Sequence, residues 1–466
     1  MKKYIKQLIY TTLIVFFISC DSYLDVNEDP NVVTDVPPEL ILKGMQLADT
    51  QNNLGHLMRI SQMWTGQMQG INSLYARLSD YNITAEESND SWGFLYHGVM
   101  TQNQIIQSTS DDNLLKGMGN VLEAHAVGTN ATLFGDIPYS DAGNPDGAAF
   151  DGQLAVYQAL QTLLDTAISQ LQTVAATRRF SDDIFLNGKA SAWIEVAYTL
   201  KARYYLMNRQ YPEAYQNASL GVSSTANSLK YAAAFDGYGS TPENSNLYQL
   251  IFTGSRAGDL SNKGAYIQTV LLDGANAASR NNAKTDESRR KDFLLLDQDF
   301  LNGARLSAAD ATMPLVTYEE NLLILAETGL RTVDFDEGLA QLNVLRAFLA
   351  SGNAFNGDGG LSLQYDAYDD SDFANGGIEN ADGISDDKAL LREIIEEKYV
   401  STFGTILPFA DFRRIRVTDN DIAMPIPINS GSAHPERFLI AQDEINGNPN
   451  APDPIPDIYT KTPVNQ

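Results

Sequence analysis

Cysteine is almost missing from this chain: Cys20 is the single one among 466 residues. No internal disulfide can form, so stability must come from a buried core. Basic residues are also scarce, 32 against 59 acidic ones, for a formal net charge of −27. Such a surface repels phosphate backbones and anionic headgroups, which argues against nucleic acid and for a neutral ligand or another protein. The four histidines, His56, His97, His125 and His434, are too scattered to predict a metal site, and His125 reads as a core residue on a helical face. No His-Glu-x-x-His, Gly-x-Ser-x-Gly or Gly-x-x-x-x-Gly-Lys phrase occurs. The expectation is a protein without catalytic residues, metal or cofactor. Glycoside hydrolysis needs only two carboxyl groups about 5 to 10 Å apart, so a secreted carbohydrate-active enzyme is the alternative reading.

What is present begins with an export pattern. Lys2, Lys3 and Lys6 precede an apolar run from Leu8 to Ile18 that is broken by Tyr10, Thr11 and Thr12. The run is short of the about 20 residues that span a bilayer, and it reads as a secretory signal peptide over residues 1–19. Ser19 before Cys20 suits a lipoprotein signal peptidase, although Phe17 and Ile18 depart from the usual leucine. The mature chain would then start at a lipidated Cys20, with 29 basic against 59 acidic groups. Acyl chains contribute about 0.8 kcal/mol per buried methylene, so two or three hold a protein at a membrane. Residues 20–38 carry Pro30, Pro37 and Pro38 and read as a tether, with the first helix starting near Glu39.

From there to about residue 350 the apolar period is helical, which predicts an all-α fold. Leu114, Met118, Val121, Leu122, His125 and Leu133 form one stripe, and Tyr157, Leu160, Leu163, Leu164, Ile168 and Leu171 another. Trp193, Val196, Ala197, Leu200 and Tyr204 form a third, read as core. Residues 190–207 and the segment from Pro212, a proline at the first helical turn, form one helix pair. Residues 318–330 and 336–349 form a second. Ala214, Ala218, Ala326 and Ala340 at the contacts predict tetratricopeptide-like packing, without a match to the 34-residue consensus.

Residues 352–387, rich in Gly, Asn and Asp, predict a long loop that scatters Tyr365, Tyr368 and Phe373. Its acids between Asp366 and Asp387 have the oxygen ligands that calcium takes but no EF-hand spacing, so a solvated loop is expected. A helix follows from Lys388 to about Phe403. Pro408, Pro425, Pro427 and Pro435 then leave little regular structure, with weak strands around 249–253 and 422–428.

A sugar presents apolar C–H faces and a ring of hydroxyls, so its site needs aromatic platforms beside amides and charges. Residues 62–82 supply that mixture with Gln62, Trp64, Gln67, Gln69, Asn72, Tyr75, Arg77, Asp80 and Tyr81. The candidate ligand residues are Trp64, Asn72, Tyr75, Arg77 and Tyr81, and the alternative is that Trp64 and Tyr75 pack beneath the loop. Trp92, with Phe94, Tyr96 and Val99, reads as core.

Several longer phrases carry a resemblance. Ala124-His125-Ala126 leads to Leu133-Phe134-Gly135-Asp136-Ile137-Pro138-Tyr139-Ser140-Asp141-Ala142. In order come Leu200-Lys201-Ala202-Arg203-Tyr204-Tyr205-Leu206, then Met313 to Glu320 with Ala326-Glu327. Glu396-Glu397-Lys398-Tyr399 with Asp411-Phe412-Arg413-Arg414 follows, then Pro435-Glu436-Arg437-Phe438 with Glu444 and Asn446. Together with the start at Cys20-Asp21-Ser22-Tyr23-Leu24-Asp25, these resemble the SusD/RagB family of nutrient-binding outer-membrane lipoproteins over essentially the whole mature chain. The resemblance implies a SusD-like nutrient-binding domain over 39–466, with tetratricopeptide-like helix pairs decorated by loops. It also implies a place on the outer face of the outer membrane and a SusC-like TonB-dependent transporter as partner, to which oligosaccharides or peptides are delivered. The region 62–82 is similar to one that contributes to the family's ligand face. Thr285-Asp286-Glu287-Ser288-Arg289-Arg290 departs from the Asn-Asp-Pro-Arg phrase common in this branch, so the loop from about 254 to 300 is not carried over.

Overall fold

A computed structural model describes residues 36–234, 245–253, 256–297, 305–355 and 361–466. The signal peptide, Cys20 and nearly all of the tether lie outside the described residues. Helices α1 (Pro38–Leu54) and α2 (His56–Trp64) open the fold, the first with proline in its first turn, where a missing N–H costs nothing. Then come α3 (Asn113–Phe134), α4 (Gln153–Gln172), α5 (Ala190–Met207) and α6 (Tyr211–Ala218). After them follow α7 (Tyr318–Thr332), α8 (Phe335–Ala350), α9 (Asp386–Ser401) and α10 (Leu407–Thr418). Among the described residues, three antiparallel strand pairs, each strand two to four residues long, join loops rather than form a sheet core.

Helices α3 to α8 pack as consecutive pairs, α3 on α4, α5 on α6 and α7 on α8, and neighbouring pairs stack through α4 on α5 and α6 on α7. This is the tetratricopeptide-like arrangement that the small residues at the helix contacts predicted. Local chemistry sets the pair boundaries. The Asp112 carboxylate accepts from Leu114 N to start α3, Thr317 Oγ1 accepts from Glu320 N to start α7, and Asp334 accepts from Glu337 N to start α8. Small residues set the contacts: Ala202, Ala214 and Ala218 share a buried cluster with Leu206 and Ile324. Gly128 matters most, because a Cβ there would fall 2.2 Å from the Tyr204 ring. The bare backbone lets Tyr204 lie across α3 and donate to Ala124 O at 2.7 Å.

Buried ion pairs tie the stack together. Arg203 of α5 grips Glu320 of α7 through two bonds of 2.6 and 2.7 Å, and Arg414 of α10 grips Glu327 of α7 through bonds of 2.6 and 2.8 Å. At the end of α3, Arg413 donates to Thr132 O and Arg437 to Phe134 O, which satisfies carbonyls the helix leaves open. His125 is buried and contacts Asp49 at 3.0 Å, as a core histidine does.

Three expectations are corrected. Pro408 does not prevent structure: it sits in the first turn of α10, the position where proline is tolerated. Residues 247–253 are helical rather than extended, and 422–428 hold no strand but a short 3₁₀ turn at Asn420–Ile422 followed by unpaired chain. The described part of the 352–387 loop is not scattered, because Tyr365, Tyr368 and Phe373 are buried in a second apolar cluster with α7, α8 and α9. Three of its acids are paired, Asp369 and Asp372 with Lys284 and Asp382 with Arg392, and Asp369 and Asp382 stay largely exposed, as a solvated loop requires. The departing segment at 285–290 faces α9, where Glu287, Arg280 and Arg290 form a buried network with Glu393 and Glu397. No helix among the described residues is long and apolar enough to cross a membrane.

Candidate ligand cleft

The five residues chosen from the sequence do not converge on one accessible face. Trp64 is 1% exposed, its ring stacked on Phe438 and its Nε1 donating to Leu78 O at 2.9 Å. Tyr75 and Tyr81 are buried too: Tyr75 Oη accepts from Arg59, and Tyr81 Oη accepts from Asn429 N. Burial raises the Tyr81 phenol above its ordinary value, opposed by that bond from Asn429. Asn72 and Arg77 are exposed, Asn72 donating to Gly258 O and Arg77 pairing with Glu87. A stacking platform needs an open ring face, which Trp64 lacks, so its assignment as a sugar platform is corrected to core. The apolar stem of α2 has to be covered by the C-terminal segment, and Trp64 is the side chain that meets it.

A cleft of about 510 Å³ opens elsewhere, between three distant segments. Its floor comes from the helical stretch Asn89–Gly93 and its continuation, a wide π-type turn over Phe94–Met100 that leads into Thr101–Thr109. One wall is the turn at 138–148, and the other is the short helix Gln442–Gly447 with Asn448. Trp92, Tyr96, His97, Met100, Thr101 and Gln104 recur along the floor at helical spacing.

The walls are braced by their own hydrogen bonds. Tyr96 Oη donates to Pro138 O at 2.6 Å, and Trp92 Nε1 donates to Glu444 Oε2 at 3.1 Å. Asn448 Nδ2 donates to Glu444 Oε1 at 2.5 Å and to Ala148 O at 2.8 Å, which joins the two walls. Asp151 holds the turn by accepting from Tyr139 N and Ser140 N at 3.0 and 2.7 Å. Gly147, at φ 103°, adopts a backbone conformation that side chains resist and approaches Pro449. Burial, and secondarily the carboxylates of Glu444 and Asp151, push the Tyr96 phenol well above its ordinary value, so it stays a neutral donor.

The cleft is bordered by half-buried Tyr96 and by Trp92, which is 6% exposed with its ring T-shaped on Phe134, beside amides and carboxylates. The side chains of His97, Gln104 and Asp443 line it without a hydrogen-bond partner among the described residues. This lining can hold a polar ring by contact and hydrogen bonding. Trp92 is buried, as its spacing predicts, and the cleft beside it was not legible because nothing local announces that 443–448 comes to rest there. Pro138 and Ala142 of the longest quoted phrase do line it, which was the available signal.

No curated protein matches the chain. Among solved structures, a SusD/RagB family protein from Bacteroides thetaiotaomicron VPI-5482 aligns with a TM-score of 0.64 and 19% identity, over 89% of this chain and 95% of that one. A chitin-binding SusD homolog from Flavobacterium johnsoniae aligns with a TM-score of 0.63 and 17% identity, over 88% and 94%. A SusD homolog from Bacteroides uniformis ATCC 8492 gives 0.63 and 16%, over 93% and 100%. At these identities the likeness shows the fold. The family itself is shown by the match of residues 30–416 to the SusD-like family described as starch-binding and associating with the outer membrane, and to that family this chain belongs.

Proposed function

We propose that the protein is a lipid-anchored capture protein on the outer face of the outer membrane. It binds oligosaccharides and passes them to a SusC-like TonB-dependent transporter, with no catalysis of its own. The observation that carries this reading is the cleft, whose half-buried Tyr96 and unengaged amide and carboxylate groups suit a sugar ring. The family description as starch-binding and the chitin-binding structural relative support a glycan over a peptide. Lipidation at Cys20 supplies the anchor. In an electrophoresis gel cast with a soluble polysaccharide, the mature protein should be retarded and release no reducing ends. Release of sugar would favour a secreted glycoside hydrolase instead, and unhindered migration in every glycan tried would point to peptides.

A further inference from the structure

We propose that the cleft prefers a saccharide carrying a protonated amine and disfavours acidic sugars, an inference that rests on reading the cleft as a glycan site. Glu444 is half-buried in the wall, and the groups it accepts from, Trp92 Nε1 and Asn448 Nδ2, are both uncharged. Among the described residues no lysine or arginine pairs with Glu444 or with Asp443 beside it, and the imidazole of His97 is the one lining group that can become cationic. A carboxylate without a counter-charge, partly removed from water, gains most from a cation that the ligand brings. Half-buried Tyr96 adds an aromatic ring on the floor, while Trp92, 6% exposed, contributes its N–H to Glu444 rather than an open face. A bare metal ion is the weaker occupant, because no cluster of three or more His, Cys, Asp or Glu among the described residues is arranged to hold one. A volume of about 510 Å³ falls in the range of small-molecule pockets. A uronate there would face Glu444 and Asp443 with like charge.

The test titrates the mature protein, at a pH where the amine is protonated, with three oligomers of equal length: glucosamine, its N-acetylated counterpart and a uronic acid. The glucosamine oligomer should bind about tenfold or more tighter than the acetylated one, the scale of a charge-assisted hydrogen bond, and the uronic acid weakest. Glu444→Gln, which keeps an oxygen for Trp92, and Asp443→Asn at an exposed position should each shrink the ratio of the first two affinities, with thermal midpoints showing that both variants fold. Binding of the acetylated oligomer without preference for the amine, or a ratio unchanged in both variants, overturns the inference and leaves the glycan reading intact. Failure of all three oligomers to bind a protein that a neutral polysaccharide retards overturns the inference alone, and failure of every glycan overturns the glycan reading with it. Tighter binding of a lysine-bearing peptide than of the amine oligomer also overturns the proposal.

Discussion

The indole of Trp64 lies on the ring of Phe438 with centroids 4.5 Å apart and planes 19° from parallel, while Tyr81 and Phe409 meet it edge-on at 6.1 and 5.9 Å. This stack fastens the end of α2 to the C-terminal segment. Trp64→Ala should therefore cost about 3–5 kcal/mol of folding stability in urea titration, as truncation of a core aromatic does, and leave glycan affinity unchanged. A folded variant of unaltered stability and weakened binding would return Trp64 to the ligand face.

Glu327 is buried between Arg414 and Arg331, at 2.6 and 3.0 Å. Burial would raise its carboxyl, but the two guanidinium groups outweigh it and hold the group well below the usual glutamate range. Glu327→Gln should cost about 3–5 kcal/mol, because Arg414 stays buried with less compensation. The pair Glu327→Leu with Arg414→Met should recover much of that loss, since a buried ion pair is worth less than its broken halves suggest. Equal stability of the single variant and the wild type would contradict this.

Two glutamates one turn apart on α9 respond to pH with opposite signs. For Glu393, burial outweighs Arg280 and raises the carboxyl well above its ordinary value; folding then favours its protonated form, and stability is lost as pH rises through the raised value. For Glu397, burial is outweighed by Arg290 and Arg280, which hold it down to about 2; its stabilisation is present above the ordinary glutamate range and lost as pH falls towards about 2. Urea midpoints of wild type and Glu393→Gln, taken from about pH 4 to about pH 8, should shift in favour of the variant as pH rises. A difference that stays constant with pH would show that Glu393 keeps its proton equilibrium unchanged on folding.

The helix pairs were legible because their signals are local. The apolar period and the proline at the start of α6 each act within a turn or two of chain. The phrases that carried the resemblance turn out to be mostly structural: Arg203 with Glu320, and Arg414 with Glu327, are the clamps between pairs. The site was far less legible. Trp64 and Trp92 are both buried, and only tertiary packing decides that Phe438 stacks on one while the other lies at the edge of a cleft. Helix α10 was missed for a related reason, since Pro408 reads as a breaker unless its place in the first turn is known.

Membrane attachment rests on Cys20 in this account. Cys20→Ala should yield a protein with an unchanged thermal midpoint that leaves the membrane fraction in a host lacking the transporter. Retention of that variant in the outer-membrane fraction would remove the main support for the lipid anchor.

Glycan capture in the cleft bordered by Trp92, Tyr96 and Glu444 can be tested by filling the cleft. Thr101 is exposed on the cleft floor, so Thr101→Trp should fill the space with little effect on folding. The decisive measurement is calorimetric titration of a matched oligosaccharide into the wild type and this variant, with thermal midpoints alongside. Saturable binding to the wild type and a loss of about tenfold or more in the variant at an unchanged midpoint are expected. Equal affinity in the two proteins would contradict capture in this cleft and place the ligand elsewhere on the molecule.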